Sequence, residues 1–241
     1  MITTYKLLKR RAEHYFSPFV YGAIDGTVTT FAVVASSYGA NLGARVVLIL
    51  GFANLIGDGF SMGASAYASG LSERQQRVRA VKHYRDHKLA TDKSVRESLT
   101  RHFIHDYGFE GEMLDKAVSA AMAKEETVVK HLIRDRLGFD TGTVSRTAAL
   151  KDAFATFIAF LSAGIIPLIP YLIGLASNVN ARAVFYSSLL MTVFSFAIVG
   201  LMKGRVTGLS KWRGSLETLL LGCAAAIIAY LIGDLLAGWL I

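Results

Sequence analysis

The chain has 241 residues, of which 53% are hydrophobic, and its mean hydropathy is +0.41. Only 18% of the residues are charged, against about 25% in an average soluble domain, so the composition excludes an ordinary soluble globular protein. The formal net charge of +8 would suit a nucleic-acid binder, but the cations are sorted along the chain as a membrane topology requires, and we expect no nucleic-acid partner.

Five apolar stretches predict an all-α membrane protein with five transmembrane helices. A helix needs about 20 apolar residues to cross about 30 Å of hydrocarbon. Asp25 and Asp58 are the only charged residues within the first two stretches. The predicted spans are residues 18–38, 46–69, 149–175, 183–202 and 216–240. Pro167 and Pro170 predict a kink or a break in the third span.

The basic residues indicate an orientation. Fifteen Lys and Arg lie within residues 72–147, and others precede the first span or join the fourth to the fifth, whereas the remaining loops hold only Arg45 and Arg182. This positive-inside pattern predicts a cytoplasmic N-terminus and a cytoplasmic insert. We therefore divide the chain into an amphipathic segment with spans 1 and 2 (1–71), a cytoplasmic helical insert (72–147) and spans 3–5 (148–241).

The insert is predicted to contain three short helices. Residues 72–89 continue the second span out of the bilayer, and a second helix ends near Gly108. Apolar residues at helical spacing from Met113 to Ile133 predict a third helix that stops at Gly138. Because the start of the chain shows no cleavable signal or transit segment, we expect a bacterial inner (cell) membrane.

The two membrane aspartates are the leading candidates for a metal site, because an ionisable group inside a span is costly. Thr29 follows Asp25 by one turn, and Asn54, Asp58 and Met62 share one helix face. Carboxylates combined with a soft thioether suit Fe²⁺ or Mn²⁺ better than Mg²⁺. A medium of low dielectric favours a protonated carboxyl, so Asp25 and Asp58 are also the candidates for proton coupling. In the alternative interpretation Met62 merely packs, and the aspartates bond to neighbouring hydroxyl or backbone groups.

Further candidate ligands occur in the insert. Glu97, His102, His105 and Asp106 lie close together on its second helix, and imidazole and carboxylate groups both bind transition metals. A solvated charged helix face has the same composition, so a purely structural role stays open. No nucleophile–base constellation is visible, and we expect neither an enzyme nor a resident cofactor.

Two motifs resemble those of the vacuolar iron transporter family, the yeast and plant vacuolar iron and manganese carriers and their bacterial relatives. Residues 21–34, YGAIDGTVTTFAVV, resemble the first-span motif, and residues 51–63, GFANLIGDGFSMG, resemble the second-span motif. Five predicted spans, an insert after the second and the sequence RDRLGF at 134–139 also look like this family. The likeness covers nearly the whole chain.

The resemblance implies a homodimer in the bilayer whose metal path runs between the subunits, lined by the first spans. Asp25 matches the family's membrane aspartate, and Met62 matches its pathway methionine. Met122, Glu125 and Glu126 fall near the part of the family's insert that gathers metal from the cytoplasm. The implied activity is proton-coupled movement of Fe²⁺ or Mn²⁺ out of the cytoplasm.

Several departures from the family pattern support an alternative to the transport function. Pro18 stands where plant members carry a second aspartate, and Asn54 stands where their second span carries a glutamate. The insert is net basic, with fifteen Lys and Arg against twelve Asp and Glu, and a basic vestibule repels divalent cations. The alternative is a non-transporting membrane scaffold or regulatory protein whose insert docks an acidic partner or lipid headgroups. Transport of an organic or anionic substrate is a weaker possibility, because the membrane residues are acidic.

Overall fold

The structure is a computed structural model that describes residues 2–86, 93–137, 145–177, 179–208 and 210–240. The described residues form helices and connecting turns without a strand, which confirms the predicted all-helical architecture. The helices are α1 (Ile2–Gly39), α2 (Ala44–Asp86), α3 (Lys93–Tyr107), α4 (Gly111–Met122), α5 (Glu125–Leu137), α6 (Arg146–Gly164), α7 (Ile169–Ser177), α8 (Ala181–Thr207) and α9 (Lys211–Leu240), with a 3₁₀ turn at Ile166–Leu168 before α7.

Five segments of the described chain are long and apolar enough to cross a membrane. They are Ser17–Gly39, Ala44–His83, Arg146–Ser177, Ala181–Arg205 and Lys211–Leu240. The third of these segments contains α6, the 3₁₀ turn and α7, so the break predicted at Pro167 is confirmed. How many of the five segments cross the bilayer, and which side the insert faces, stay predictions.

The first helix is longer than the predicted span. The apolar segment Ser17–Gly39 agrees with the span predicted from Pro18, but the helix α1 that contains it runs from Ile2 through Pro18 to Gly39. Proline removes one backbone N–H from the helical ladder, and membrane helices tolerate it because neighbouring groups can compensate. The connection from α1 to α2 is a tight loop between Gly39 and Ala44, with Asn41 at a positive φ of 58°.

Chain contacts divide the protein into two compact units. The first comprises Met1–Ala68 with Ala149–Ile241, and the second is Ser69–Ala148. In the first unit, buried apolar side chains of α1, α2, α6, α7 and α8 form a common core, which contains Phe31, Val34, Val47, Leu55, Phe160, Leu168 and Val184. This core fixes the relative heights of the helices that carry the membrane aspartates.

Glycines set the spacing within the first unit. Gly22 and Gly26 form a small-xxx-small pair that could serve a contact between two copies of the chain, but both lie against α6 of the same chain. A Cβ on Gly22 would lie 2.5 Å from the carbonyl oxygen of Thr156, and one on Gly26 would lie 2.9 Å from the Cα of Phe160. Small residues let two backbones approach this closely. Gly22 and Gly26 therefore serve a helix contact within one chain.

The second unit corrects the predicted insert. The single third helix expected from Met113 to Gly138 is two helices, because α4 ends at Met122 and α5 begins at Glu125. No glycine or proline marks this break. Glu125 and Glu126 open α5, and acidic residues are favourable in the first turn of a helix because they face its unpaired N–H groups. The predicted end near Gly108 is confirmed, since α3 ends at Tyr107 and Gly108 has a φ of +66°.

Candidate metal site

The antiparallel pair α1 and α2 places the two membrane aspartates at the same height. Asp25 precedes the end of α1 at Gly39 by fourteen residues, and Asp58 follows the start of α2 at Ala44 by fourteen. At 1.5 Å per residue, both lie about 21 Å along the helix from the connecting loop. Leu55 of α2 and the carbonyl oxygen of Gly26 both lie against Gly164 of α6, so α1 and α2 are neighbours beside the two aspartates. The structure thus brings together the two acidic residues that the sequence singles out.

The neighbouring candidates form levels above and below this carboxylate pair. Thr29 and Asn54 are each ten residues from the loop, about 15 Å, and Tyr21 and Met62 are each eighteen residues away, about 27 Å. Successive members are four residues apart on each helix. Tyr21, Asp25 and Thr29 therefore share one face of α1, and Asn54, Asp58 and Met62 share one face of α2. The two helices therefore present a polar stripe whose middle level is the pair of aspartates.

Individual contacts refine the roles expected for the neighbours. The Thr29 hydroxyl donates a hydrogen bond of 2.8 Å to the backbone carbonyl of Asp25, not to its carboxylate, so only the hydroxyl lone pairs remain for a ligand. Met62 is partly buried and packs against the core of the first unit. Asn54 is also partly buried. Thr29 and Met62 thus each have a structural contact alongside any part in binding.

One face of the aspartate region is not covered by the chain itself. Asp25 and Asp58 are only partly buried, and the Tyr21 side chain, one turn from Asp25, is 61% exposed. On the other side of α1, Thr27 and Thr30 are fully buried. Because an ionisable group inside a span is costly when it faces lipid, this face calls for a further covering element or a water-filled space.

A third carboxylate, which the sequence interpretation passed over, lies on α6. Gly22 lies against Thr156 and Gly26 against Phe160, so α1 and α6 run parallel, and Asp152 is level with Pro18. Gly63 of α2 lies against the carbonyl of Ala153, so α2 also packs against α6 next to Asp152. Asp152 is partly buried and lies about 10 Å along the axis from the Asp25 level, toward the start of α6. Its position inside predicted span 149–175 was the signal that could have found it.

The acidic residues and the methionine predicted as ligands in the insert form no common site among the described side chains. Glu97 and Glu126 are exposed, and the Glu125 side chain lies outside the described atoms. Met122 is partly buried against the insert core formed by Val95, Leu99, Ala121 and Val128. Within the described residues of either unit, no three His, Cys, Asp or Glu side chains come together in a group that could hold a metal ion.

The remaining predicted ligands come together on α3 with a residue that the sequence interpretation did not select. The His102 Nδ1 lies 3.0 Å from the Asp106 carboxylate, and His105 lies 4.0 Å from it. His131, from α5, places its ring centroid 5.0 Å from that of His102. The sequence could have indicated His131 as a candidate, because His131 and Arg134 are three residues apart and therefore share one face of α5.

Comparison with known proteins identifies the family. The model of the VIT family matches residues 16–234. The vacuolar iron transporter 1 of Arabidopsis thaliana is 27% identical over 230 residues, which cover 93% of this chain and 89% of the relative. The corresponding protein of Eucalyptus grandis is 28% identical over 237 residues, with 93% and 90% covered, and the vacuolar iron transporter of Plasmodium berghei (strain Anka) is 26% identical over 250 residues, with 96% and 88% covered. Since the family model spans most of the sequence, with both aspartates inside the match, this chain belongs to the VIT family.

Proposed function

We propose that this protein moves a divalent transition metal, Fe²⁺ or Mn²⁺, out of the cytoplasm in exchange for protons. Its family and the names of its relatives support the coarser statement that it is a multi-pass membrane protein of metal-ion transport. The finer statement rests on one observation, the pair Asp25 and Asp58 at a common height in two neighbouring apolar helices. A transporter family also agrees with the expectation that the chain is not an enzyme.

The aspartate pair supports both halves of the proposed exchange. Two carboxylates that repel each other are stabilised when a divalent cation binds between them, and they are also stabilised when one of them takes a proton. Metal and proton therefore compete for the same site, which is the requirement for exchange. Fe²⁺ and Mn²⁺ accept carboxylate oxygens, and the soft sulfur of Met62 on the adjacent level favours these metals over Mg²⁺.

We propose a homodimer that closes the uncovered face of the aspartate pair. One chain offers two carboxylates and no further acidic or imidazole group at that level among its described residues, whereas a twofold axis beside α1 would double the set. The partial exposure of Asp25 and the 61% exposure of Tyr21 support this arrangement. The contact would use this polar face, since Gly22 and Gly26 already lie against α6.

The proposed path has three levels of side chains. Asp152, near the start of α6, is the first, Met62 is the second and the pair Asp25 and Asp58 is the third, with Asn54 and Thr29 beyond. The resemblance implies an acidic residue of plant members at the position of Pro18. Asp152 is level with Pro18, which supports the proposal that Asp152 supplies this negative charge from α6. We propose that Asp152 attracts the cation as it approaches the aspartate pair.

The positive-inside pattern supports a cytoplasmic N-terminus and a cytoplasmic insert. The names of the relatives refer to vacuoles, and the bacterial inner membrane stays our prediction for this chain. We retain Met122, Glu125 and Glu126 as proposed metal-gathering residues of the insert, and Glu97, His102, His105 and Asp106 as weaker ones. Their scattered or mutually paired positions make the membrane aspartates the better supported site.

The test is uptake of Fe²⁺, Mn²⁺, Co²⁺ and Zn²⁺ into proteoliposomes with and without a pH gradient. Asp25→Asn and Asp58→Asn keep the side-chain shape but remove the negative charge, and each should abolish gradient-dependent uptake. The matched control is Asp234→Asn, which removes an exposed carboxylate from α9 and should keep uptake within about twofold of the wild type.

Two results would contradict the proposal. Uptake that persists in Asp25→Asn at equal protein density would show that this carboxylate is not part of the transport site. The absence of uptake of all four metals by folded wild-type protein would instead favour the alternative scaffold whose basic insert docks a partner or lipid headgroups.

A further inference from the structure

A cavity of about 550 Å³ lies in the insert between α3 and α5. Its charged and titratable lining comprises Arg101, His102, His105 and Asp106 of α3 with His131 and Arg134 of α5. This volume falls within the range of small-molecule sites, which is about 300–1,000 Å³. The cavity is lined by residues of the second unit, whereas the membrane aspartates belong to the first.

Helical periodicity builds the lining. Positions 98, 101, 102, 105 and 106 lie on one face of α3, and positions 131 and 134 lie on one face of α5. The buried Ser98 hydroxyl is 2.9 Å from the His131 Nε2 and ties the two helices together. The two imidazoles of His102 and His131 also lie in contact. The cavity therefore has a defined wall shared by two helices.

The charge of the cavity favours an anion. In the part of the chain that the structure describes, neither Arg101 nor Arg134 forms an ion pair. The single carboxylate of the lining, Asp106, is already engaged by His102 at 3.0 Å. Two guanidinium groups that form no ion pair among the described residues thus border the same space, where three imidazoles add positive charge whenever they are protonated.

We infer that this cavity binds the phosphate group of a small anion. Arginine presents paired N–H donors that match the oxygens of a phosphate, and imidazole and hydroxyl groups add single donors. A divalent metal is a poorer fit, because two permanent cations line the cavity and the described residues include no cluster of three metal ligands. The inference does not rest on transport by the membrane aspartates. It replaces the weaker metal-gathering role proposed above for His102, His105 and Asp106, and it gives the net basic character of the insert a specific use.

The phosphate can come from two sources, a soluble phosphate or the headgroup of an anionic lipid. Titration calorimetry of the full chain with inorganic phosphate, in detergent and in metal-free buffer at pH 6.5, tests the shared chemistry. Repeating the titration in nanodiscs of phosphatidylcholine alone and with added phosphatidylglycerol separates the sources. A weaker apparent affinity only with phosphatidylglycerol identifies the headgroup as occupant, and equal affinities identify a soluble anion.

The variants localise the binding. Arg101→Gln and Arg134→Gln should each raise the dissociation constant for phosphate about tenfold, the effect of losing a hydrogen bond between charged partners. Arg96→Gln is the matched control, because it removes one exposed charge from the same helix outside the cavity, and it should change the constant less than twofold. Circular dichroism checks that every variant retains its helices.

Two outcomes would overturn the inference. One is an absence of saturable phosphate binding by the wild type in detergent and in phosphatidylcholine nanodiscs. The other is an equal loss of affinity in Arg96→Gln and Arg134→Gln, which would indicate attraction to the overall charge of the insert and no defined site.

Discussion

The contact between α1 and α6 makes a quantitative prediction for Gly26→Ala. A Cβ at this position would lie 2.9 Å from the Cα of Phe160 and nearer still to its carbonyl oxygen. Because the obstacle is backbone, it cannot be relieved by rotating a side chain. Overpacking costs about 1–3 kcal/mol, and we expect the upper part of that range here, about 2–3 kcal/mol.

The matched control is Gly57→Ala on α2, where the added Cβ would meet no atom within 4 Å. Both substitutions gain the same helix propensity of about 1 kcal/mol, so the difference between the two variants isolates the steric overlap. For a chain of this size, 1 kcal/mol corresponds to about 2–4 °C in Tm. Gly26→Ala should therefore unfold about 4–12 °C below Gly57→Ala in a thermal scan of the detergent-solubilised protein.

The same samples should be examined by size-exclusion chromatography with light scattering, since a glycine pair of this kind can also serve a contact between two copies of the chain. Two equal Tm values together with a loss of dimer only in Gly26→Ala would refute the reasoning. That result would place Gly22 and Gly26 at a subunit interface and would contradict their contact with α6 of the same chain.

Two further predictions concern the proposed path. Met62→Leu nearly conserves volume, so the free energy of unfolding should change by less than about 1.5 kcal/mol, while the initial rate of Fe²⁺ uptake should fall severalfold because the sulfur is lost; an unchanged rate would mean that Met62 only packs. Asp152→Asn should raise the KM for metal uptake about threefold or more with little change in the maximal rate, because an attracting charge acts before the binding step; a KM equal to that of the wild type would place Asp152 outside the path.

Much of the architecture follows from the sequence, because a bilayer restricts the options of the chain. A helix must satisfy its own backbone groups and must be about 20 residues long, so hydropathy finds the apolar segments and Pro167 marks the break in the third. The candidates Asp25 and Asp58 could be selected in the same way, because charge inside a span is rare. Their equal height also follows, since a tight loop joins two antiparallel helices.

Local signals were less informative where packing decides the result. The continuation of α1 through Pro18 and the break between Met122 and Glu125 were both missed. Proline is a weak boundary in a membrane helix, and the break before Glu125 lacks glycine and proline. Acidic residues can open a helix or lie within one, so their presence alone does not locate an end.

Sequence by itself determined the all-helical fold, the apolar segments and the pair of membrane aspartates, because these depend on composition and on the spacing of residues along one helix. Tertiary structure alone decided which partner each helix face meets. It placed Gly22 and Gly26 against α6, set Asp152 level with Pro18, and joined His102 to His131 across α3 and α5. The physical reason is that helical periodicity defines a face, whereas the neighbour of that face depends on how distant segments pack together.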